Sequence, residues 1–150
     1  MSVLADLQSK IGQELGVSDW VEIPQERIST FADVTEDHQF IHLDAEKAKA
    51  LTPFGGTIAH GFLSLSLLSR FAETGLPEVP GVKMGMNYGL NKVRFLSPVP
   101  SGSRVRGRFT LASATEKNPG QLLLSYTVTV EIDGGAKPAL VAEWLMLIFV

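Results

Sequence analysis

All three histidines of the chain fall between positions 38 and 60, and two of them belong to the run Thr35-Glu36-Asp37-His38-Gln39-Phe40-Ile41-His42. Imidazole titrates near ~6.5, and a neighbouring carboxylate can orient it and hold its charge, so Asp37 and His42 form a candidate water-activating pair. The two positions are five apart. On a regular helix that offset separates them by about 140° around the axis, and on a strand it puts them on opposite faces. They can converge only where the segment bends. An acidic surface loop with incidental histidines accounts for the same residues without any chemistry.

Other chemistries have less support. The chain has no cysteine, which removes thiol nucleophiles, disulfides and thiolate metal sites. His38, His42, Asp44 and His60 are possible metal ligands. However, His38 and His42 lie in a stretch without helical patterning, with no glutamate between them as in a zinc-protease motif, so no metal is expected. Ser64, Ser66 and Ser69 sit in an apolar helical run, where hydroxyls usually bond back to the preceding turn. No G-x-S-x-G elbow is present to strain one of them into a nucleophile.

The segment Thr57-Ile58-Ala59-His60-Gly61 leads directly into that apolar run. A helix starting there presents free backbone N–H groups to a ligand carbonyl, and Gly61 allows close approach. Tight packing at Gly61 and helix capping by His60 explain the same residues equally well. Arg104, Arg106 and Arg108 alternate on one predicted strand, with Lys92 and Arg94 on the one before. They could meet phosphates, or simply line the solvated face of an antiparallel sheet.

The elements that must position these groups can be read from periodicity. Val3, Leu4, Leu7, Ile11 and Leu15 predict an amphipathic helix over about 3–15, stopped at Gly16. After an extended piece from Trp20 to Ile23, Pro24 opens a second helix running through Ile28, Phe31 and Ala32. Residues Asp33 to Asp44 sustain no period, and Asp44 caps a short helix over Ala45 to Ala50. A run apolar on nearly every side predicts a buried central helix over about 61–74, ended by Gly75 and Pro77. From there to the end, Lys83–Phe95, Ser103–Ala114, Gln121–Ile132 and Pro138–Phe149 read as strands separated by proline, glycine and asparagine turns. Helices first and four long strands afterwards give an α+β class: an antiparallel sheet packed around one buried helix.

At 150 residues, with 45% hydrophobic and 19% charged, the chain suits a single domain over 1–150 with a real core. A net charge of −3 argues against a nucleic-acid partner. No apolar run approaches the roughly 18 residues that a membrane span needs. The acid at Asp6 stands where a secretory signal would be building its basic and apolar regions, so a cytoplasmic location is expected. There is no phosphate-loop or dinucleotide fingerprint.

Taken in order, Asp37 to His42 with Leu43-Asp44, then Phe54, Ile58, His60-Gly61-Phe62-Leu63 and Ser69, and later Asn91-Lys92-Val93-Arg94-Phe95 with Pro98-Val99-Pro100 and Gly102, resemble a known pattern. They are similar to the (R)-specific enoyl-CoA hydratases of the MaoC-like dehydratase family, over roughly residues 20 to 148. The likeness is strongest to the single-domain branch that includes nodulation-protein-N-like members. The resemblance implies a hot-dog fold, an antiparallel sheet wrapped around a long central helix and usually paired into a homodimer. It implies a place in fatty acid metabolism, with an enoyl-CoA substrate and no cofactor, coenzyme A being part of the substrate. By the same resemblance Asp37 and His42 hold the water that adds across the double bond. The Gly61 N–H binds the thioester carbonyl, and Ser69, His60 and Gln39 belong to the oxyanion or substrate-binding set. Lys92, Arg94 and Arg104 are possible contacts for coenzyme A phosphates. The chain departs from the family in one place: Gln39-Phe40 replaces the commoner Asn-Pro, which keeps an amide and gives up proline's fixed φ. A hot-dog acyl-CoA thioesterase and a non-catalytic acyl-thioester-binding protein are the alternative functions.

Overall fold

The computed structural model describes residues 2–150; Met1 of the expected 1–150 domain lies outside them. Its frame is a six-stranded antiparallel sheet. The strands are β1 (Glu14–Val17), β2 (Val21–Ile23), β3 (Met84–Phe95), β4 (Ser103–Asn118), β5 (Gln121–Ile132) and β6 (Leu140–Phe149). They run in the order β1-β4-β5-β6-β3, with β2 pairing the start of β4 alongside β1. The four long strands fall close to their predicted positions, because turn residues mark their ends and alternation marks their faces. On β5, Leu122, Leu124, Tyr126, Val128 and Val130 are all buried. The period of two therefore turns them together onto the helix-covered face.

Across that face lies the central helix, in two pieces: α5 (Gly61–Ser66) and α6 (Leu68–Gly75), with Leu67 as the joint. The expected 61–74 helix is thus locally interrupted, although its backbone stays right-handed at Leu67 (φ −80°, ψ −2°). Leu63, Leu68 and Phe71 pack into one cluster with Val105, Phe109, Leu124, Val128 and Trp144. The helix is not buried all round, as its composition predicts: Phe62 is 69% exposed. An apolar run shows that several faces are greasy, without showing that the same chain covers them.

Close contact between helix and sheet depends on missing side chains. A Cβ on Gly107 would sit 2.8 Å from that of Phe71, and one on Gly16 would sit 1.9 Å from the Gly75 carbonyl oxygen. Gly16 therefore does not stop a helix, as predicted, but lets β1 rest against the end of α6. Between β1 and β2 the buried Ser18 keeps the pairing with β4 going. Its N–H donates to the Gly107 carbonyl (2.8 Å), and its hydroxyl accepts from the Gly107 N–H (2.9 Å).

The N-terminal helix is the largest correction. The predicted 3–15 helix ends at Gln8: α1 spans Val3–Gln8, and Leu15 belongs to β1. Gly12 has φ +87° and its N–H donates to the Leu111 carbonyl at 2.8 Å, so the chain turns back to pair with β4. A free strand edge offers more hydrogen bonds than another helical turn on an exposed surface. The second helix, α2 (Gln25–Thr35), starts after Pro24 as expected but runs one turn beyond Ala32. It is followed by α3 (Phe40–Leu43) and α4 (Ala45–Leu51), the latter capped by the Asp44 carboxylate accepting from the Lys47 N–H at 3.0 Å.

Phe71 is fully buried at the helix–sheet contact. Phe71→Ala is expected to cost ~3–5 kcal/mol of unfolding free energy through lost burial and the cavity left behind, measured by urea denaturation.

Candidate active site

The stretch between α2 and α3 supplies the bend that Asp37 and His42 need. Glu36 ends α2 in the left-handed conformation (φ 61°, ψ 24°), residues 37–39 take no regular structure, and α3 begins at Phe40. One oxygen or ring nitrogen from each of Asp37, His42 and His60 then lies within 4.8 Å of the other two. Residues distant around any regular element are thus brought together by an irregular one. The Asp37 side chain is half exposed, whereas both imidazoles are buried.

His42 is held from several sides. Its Nδ1 lies 2.7 Å from the Ile58 carbonyl oxygen, and its own carbonyl accepts from Gln25 Nε2 at 2.7 Å. Gln25 Oε1 accepts in turn from the Thr57 hydroxyl at 2.7 Å. A carbonyl can only accept, so His42 carries its proton on Nδ1 and keeps a lone pair on Nε2. Burial lowers the His42 pKa from its usual 6.5; the Ile58 carbonyl opposes this, the adjacent His60 adds to it, and Asp37 opposes it. The ring is therefore neutral at neutral pH, with a nitrogen able to take a proton.

His60 stacks on His42 with centroids 3.7 Å apart and planes at 22°, and its other neighbour is Phe31 at 4.9 Å. Its Nε2 lies 3.0 Å from the Asp37 main-chain oxygen and 4.0 Å from the carboxylate. His60 stands at the N-cap of α5, but its side chain does not cap the helix. The His60 nitrogen nearest the carboxylate is already engaged by the Asp37 main-chain oxygen, which leaves it no lone pair for a metal ion while that bond is made.

The other candidates are distributed unevenly. Gly61 opens α5, and a Cβ there would lie 2.9 Å from the Phe95 ring, which would have to shift to make room. A cavity of about 240 Å³ adjoins it, lined in part by Ile58, Ser64, Phe95 and Val99. Gln39 precedes α3 with its side chain exposed, and its N–H lies 3.4 Å from Asp37 Oδ1. Ser69 is exposed two turns further along the helix, about 12 Å from Gly61 at the helical rise, beside a separate cavity with Asn87, Leu90 and Trp144. The fold does not bring it to the Asp37–His42 pair within this chain. His38 turns outward to Asp33 at 3.0 Å.

The arginines follow the surface explanation. Arg104 pairs with Asp133 (2.6 Å), Arg106 with Glu131 (3.1 Å), and Arg108 with Glu14 (2.6 Å) and Glu131 (3.1 Å). Partial burial would raise the Glu131 pKa, but Arg106 and Arg108 together hold it below the usual range. Arg104 is thus committed to an acid, while Lys92 and Arg94 stay exposed on β3. Sequence reasoning missed Gln25, which ties α2, α3 and the Thr57 segment together; nothing in its local pattern distinguishes it from an exposed helix residue.

The sheet wrapped around its helix, with a carboxylate and a bent-in histidine over the helix start, gives a hot-dog fold with a candidate acid–base cluster at one end of the helix. The comparisons agree. A model of the MaoC like domain matches residues 6–134, and the chain belongs to the MaoC-like dehydratase family. It is 54% identical over 145 residues to nodulation protein N of Rhizobium leguminosarum bv. viciae, covering 97% of this chain and 90% of that one. It is 51% identical over 140 residues to 3-hydroxyacyl-thioester dehydratase Z of Mycobacterium tuberculosis, covering 93% and 91%. Among solved structures, an (R)-hydratase from A. caviae involved in PHA biosynthesis superposes with a TM-score of 0.70 at 26% identity, covering 90% of this chain and 96% of that one. The chain is therefore a member of an enzyme family of hydratases and dehydratases. Among the described residues no helix is long and apolar enough to cross a membrane.

His42 gives the site a pH signature. Its folded pKa lies below its unfolded value of 6.5, so the unfolded chain takes up the proton first as pH falls. The stabilisation is complete above 6.5 and is lost as pH drops from there towards the folded pKa. His42→Gln is expected to flatten this part of the slope, read as denaturation midpoints at pH 7.5 and below 6.

Proposed function

We propose that the protein catalyses (R)-specific hydration of trans-2-enoyl-CoA thioesters to (R)-3-hydroxyacyl-CoA, and the reverse dehydration. The observation that carries this reading is the convergence of Asp37 with a buried, neutral His42 whose Nε2 is unprotonated, beside the start of the central helix. Family membership supports it, as does a dehydratase relative matched over almost its whole length.

The chemistry has two requirements. Water must lose a proton as its oxygen bonds to C3, and the thioester oxygen must carry negative charge as the enolate forms. His42 Nε2 takes the proton, with Asp37 orienting the water and balancing the imidazolium. The protonated dyad then delivers a proton to C2, so the net addition is one water. The Gly61 N–H at the positive end of the central helix stabilises the enolate oxygen. Among the described residues, the Gly61 and Phe62 N–H groups at this end make no main-chain hydrogen bond to another element. An acyl chain needs an apolar channel. Leu63 and Leu67 border an open groove of about 580 Å³ with Phe31 and Val34, although Glu26, Arg27 and Thr30 of α2 also line it. Phe62 lies outside this groove, edge-on to Phe95.

A homodimer fits the same reading. The edge strand β3 leaves Met84, Met86, Tyr88 and Leu90 each at least 41% exposed, an apolar stretch of a kind that marks association sites. Leu90→Glu is expected to shift the protein from dimer to monomer in sedimentation velocity.

The direct test is loss of the enoyl-thioester absorbance with crotonyl-CoA and longer trans-2-enoyl-CoAs, followed by chiral analysis of the product. Asp37→Asn and His42→Gln are each expected to lower the rate by ~10²-fold or more while remaining folded. Near wild-type turnover in both variants would sink the assignment. Release of free thiol without hydration would instead indicate a thioesterase.

A further inference from the structure

The geometry points to His60 as a positioning residue for the dyad: it fastens the Asp37 main chain to the start of the central helix and fixes the plane of the His42 ring by stacking on it. The chemistry it serves rests on the hydratase reading above; the geometry does not.

The contact to Asp37 determines the state of the ring. The Asp37 main-chain oxygen can only accept, so the His60 nitrogen 3.0 Å away, Nε2, bears the proton. Nδ1 is then a bare acceptor. It is buried, with no hydrogen-bond partner among the described residues, and the whole residue is 3% exposed. Leaving a buried acceptor unpaired is costly. A side chain whose only task was to fill space between Phe31 and His42 would serve better as phenylalanine or leucine. The imidazole is explained by its other nitrogen, which holds Asp37 where the chain has just left α2 through a left-handed residue.

The stack gives the second part of the role. His42 is already pinned at its edge by the Ile58 carbonyl, a contact that still permits rotation about that hydrogen bond. A parallel ring at 3.7 Å removes that freedom and keeps Nε2 directed at one place. The groups facing His60 are Asp37 from the bend, His42 from α3 and the uncharged Phe31 from α2. The exposed Asp33–His38 pair on the same segment is engaged with itself. Protonating His42 therefore places a cation against a second imidazole, with the half-exposed Asp37 as the carboxylate within reach.

Two variants separate the two contacts. His60→Phe keeps a stacking ring and loses the donor to Asp37; His60→Gln keeps an amide donor and loses the ring. For enoyl-CoA hydration, His60→Phe is expected to lower kcat ~30-fold or more with KM changed less than about threefold, and His60→Gln to recover part of that loss. Independently of turnover, nitrogen-15 histidine spectra of the wild type are expected to show His42 protonated at Nδ1 when neutral. In His60→Gln its titration midpoint should lie at higher pH, because the neighbouring ring is gone. A His42 tautomer and midpoint unchanged in both folded variants would overturn the proposal. If the wild type does not hydrate enoyl-CoAs, the hydratase reading fails, and the spectra still decide the role of His60.

Discussion

The extended strip Thr57–His60 is the part of the molecule on which the site depends. Besides the side chains of Thr57 and His60 it works through its main chain. The Ile58 N–H donates to the Ile41 carbonyl, the Ala59 N–H to the Val99 carbonyl, and the Thr57 carbonyl accepts from the Ser101 N–H. These bonds fix the strip against both α3 and the loop before β4. The Ile58 carbonyl is then a rigid acceptor for His42, and the strip ends in the residue that stacks on His42. A histidine positioned by main-chain groups is insensitive to side-chain drift nearby, a form of preorganisation that loops alone rarely provide.

Burial makes two stacked imidazoles compatible. In water, two rings at this distance would titrate and repel. Here the low-dielectric surroundings disfavour the charged form of His42, so it is a neutral ring that His42 turns to its stacking partner. Asp37 stands at the rim, half exposed to solvent. The cluster thus divides its imidazole and its carboxylate between a dry position and a wet one.

How much of this is legible in the sequence depends on which interactions are local. Strands β3 to β6, the Pro24 helix start and the Asp44 cap can be read directly, because alternation, turn residues and capping act within a few residues. The Asp37–His42 pairing is legible as a possibility, since the segment sustains no regular period, and the family resemblance carries the fold. The return of residues 9–17 to β4 is not legible: Ile11 and Leu15 fit a helix period, and only the distant Leu111 and Thr110 decide otherwise. Gln25 is hidden for the same reason, its partners lying 17 and 32 positions away. The arginine row on β4 gives no sequence sign of acids opposite it, because Glu131 and Asp133 meet it only through strand register.

Strand β3 shows a further property of the fold. It ends the sheet, and its pairing with β6 is interrupted twice, between Asn87 and Gly89 and between Leu90 and Lys92. Each bulge re-aims the strand and breaks the regular spacing of its main-chain groups. The outer edge is therefore an irregular template that an arbitrary extended chain cannot match over its full length. An edge this apolar would otherwise invite indiscriminate strand addition and fibrous aggregation; the two offsets act as a lock, admitting only a strand with complementary kinks.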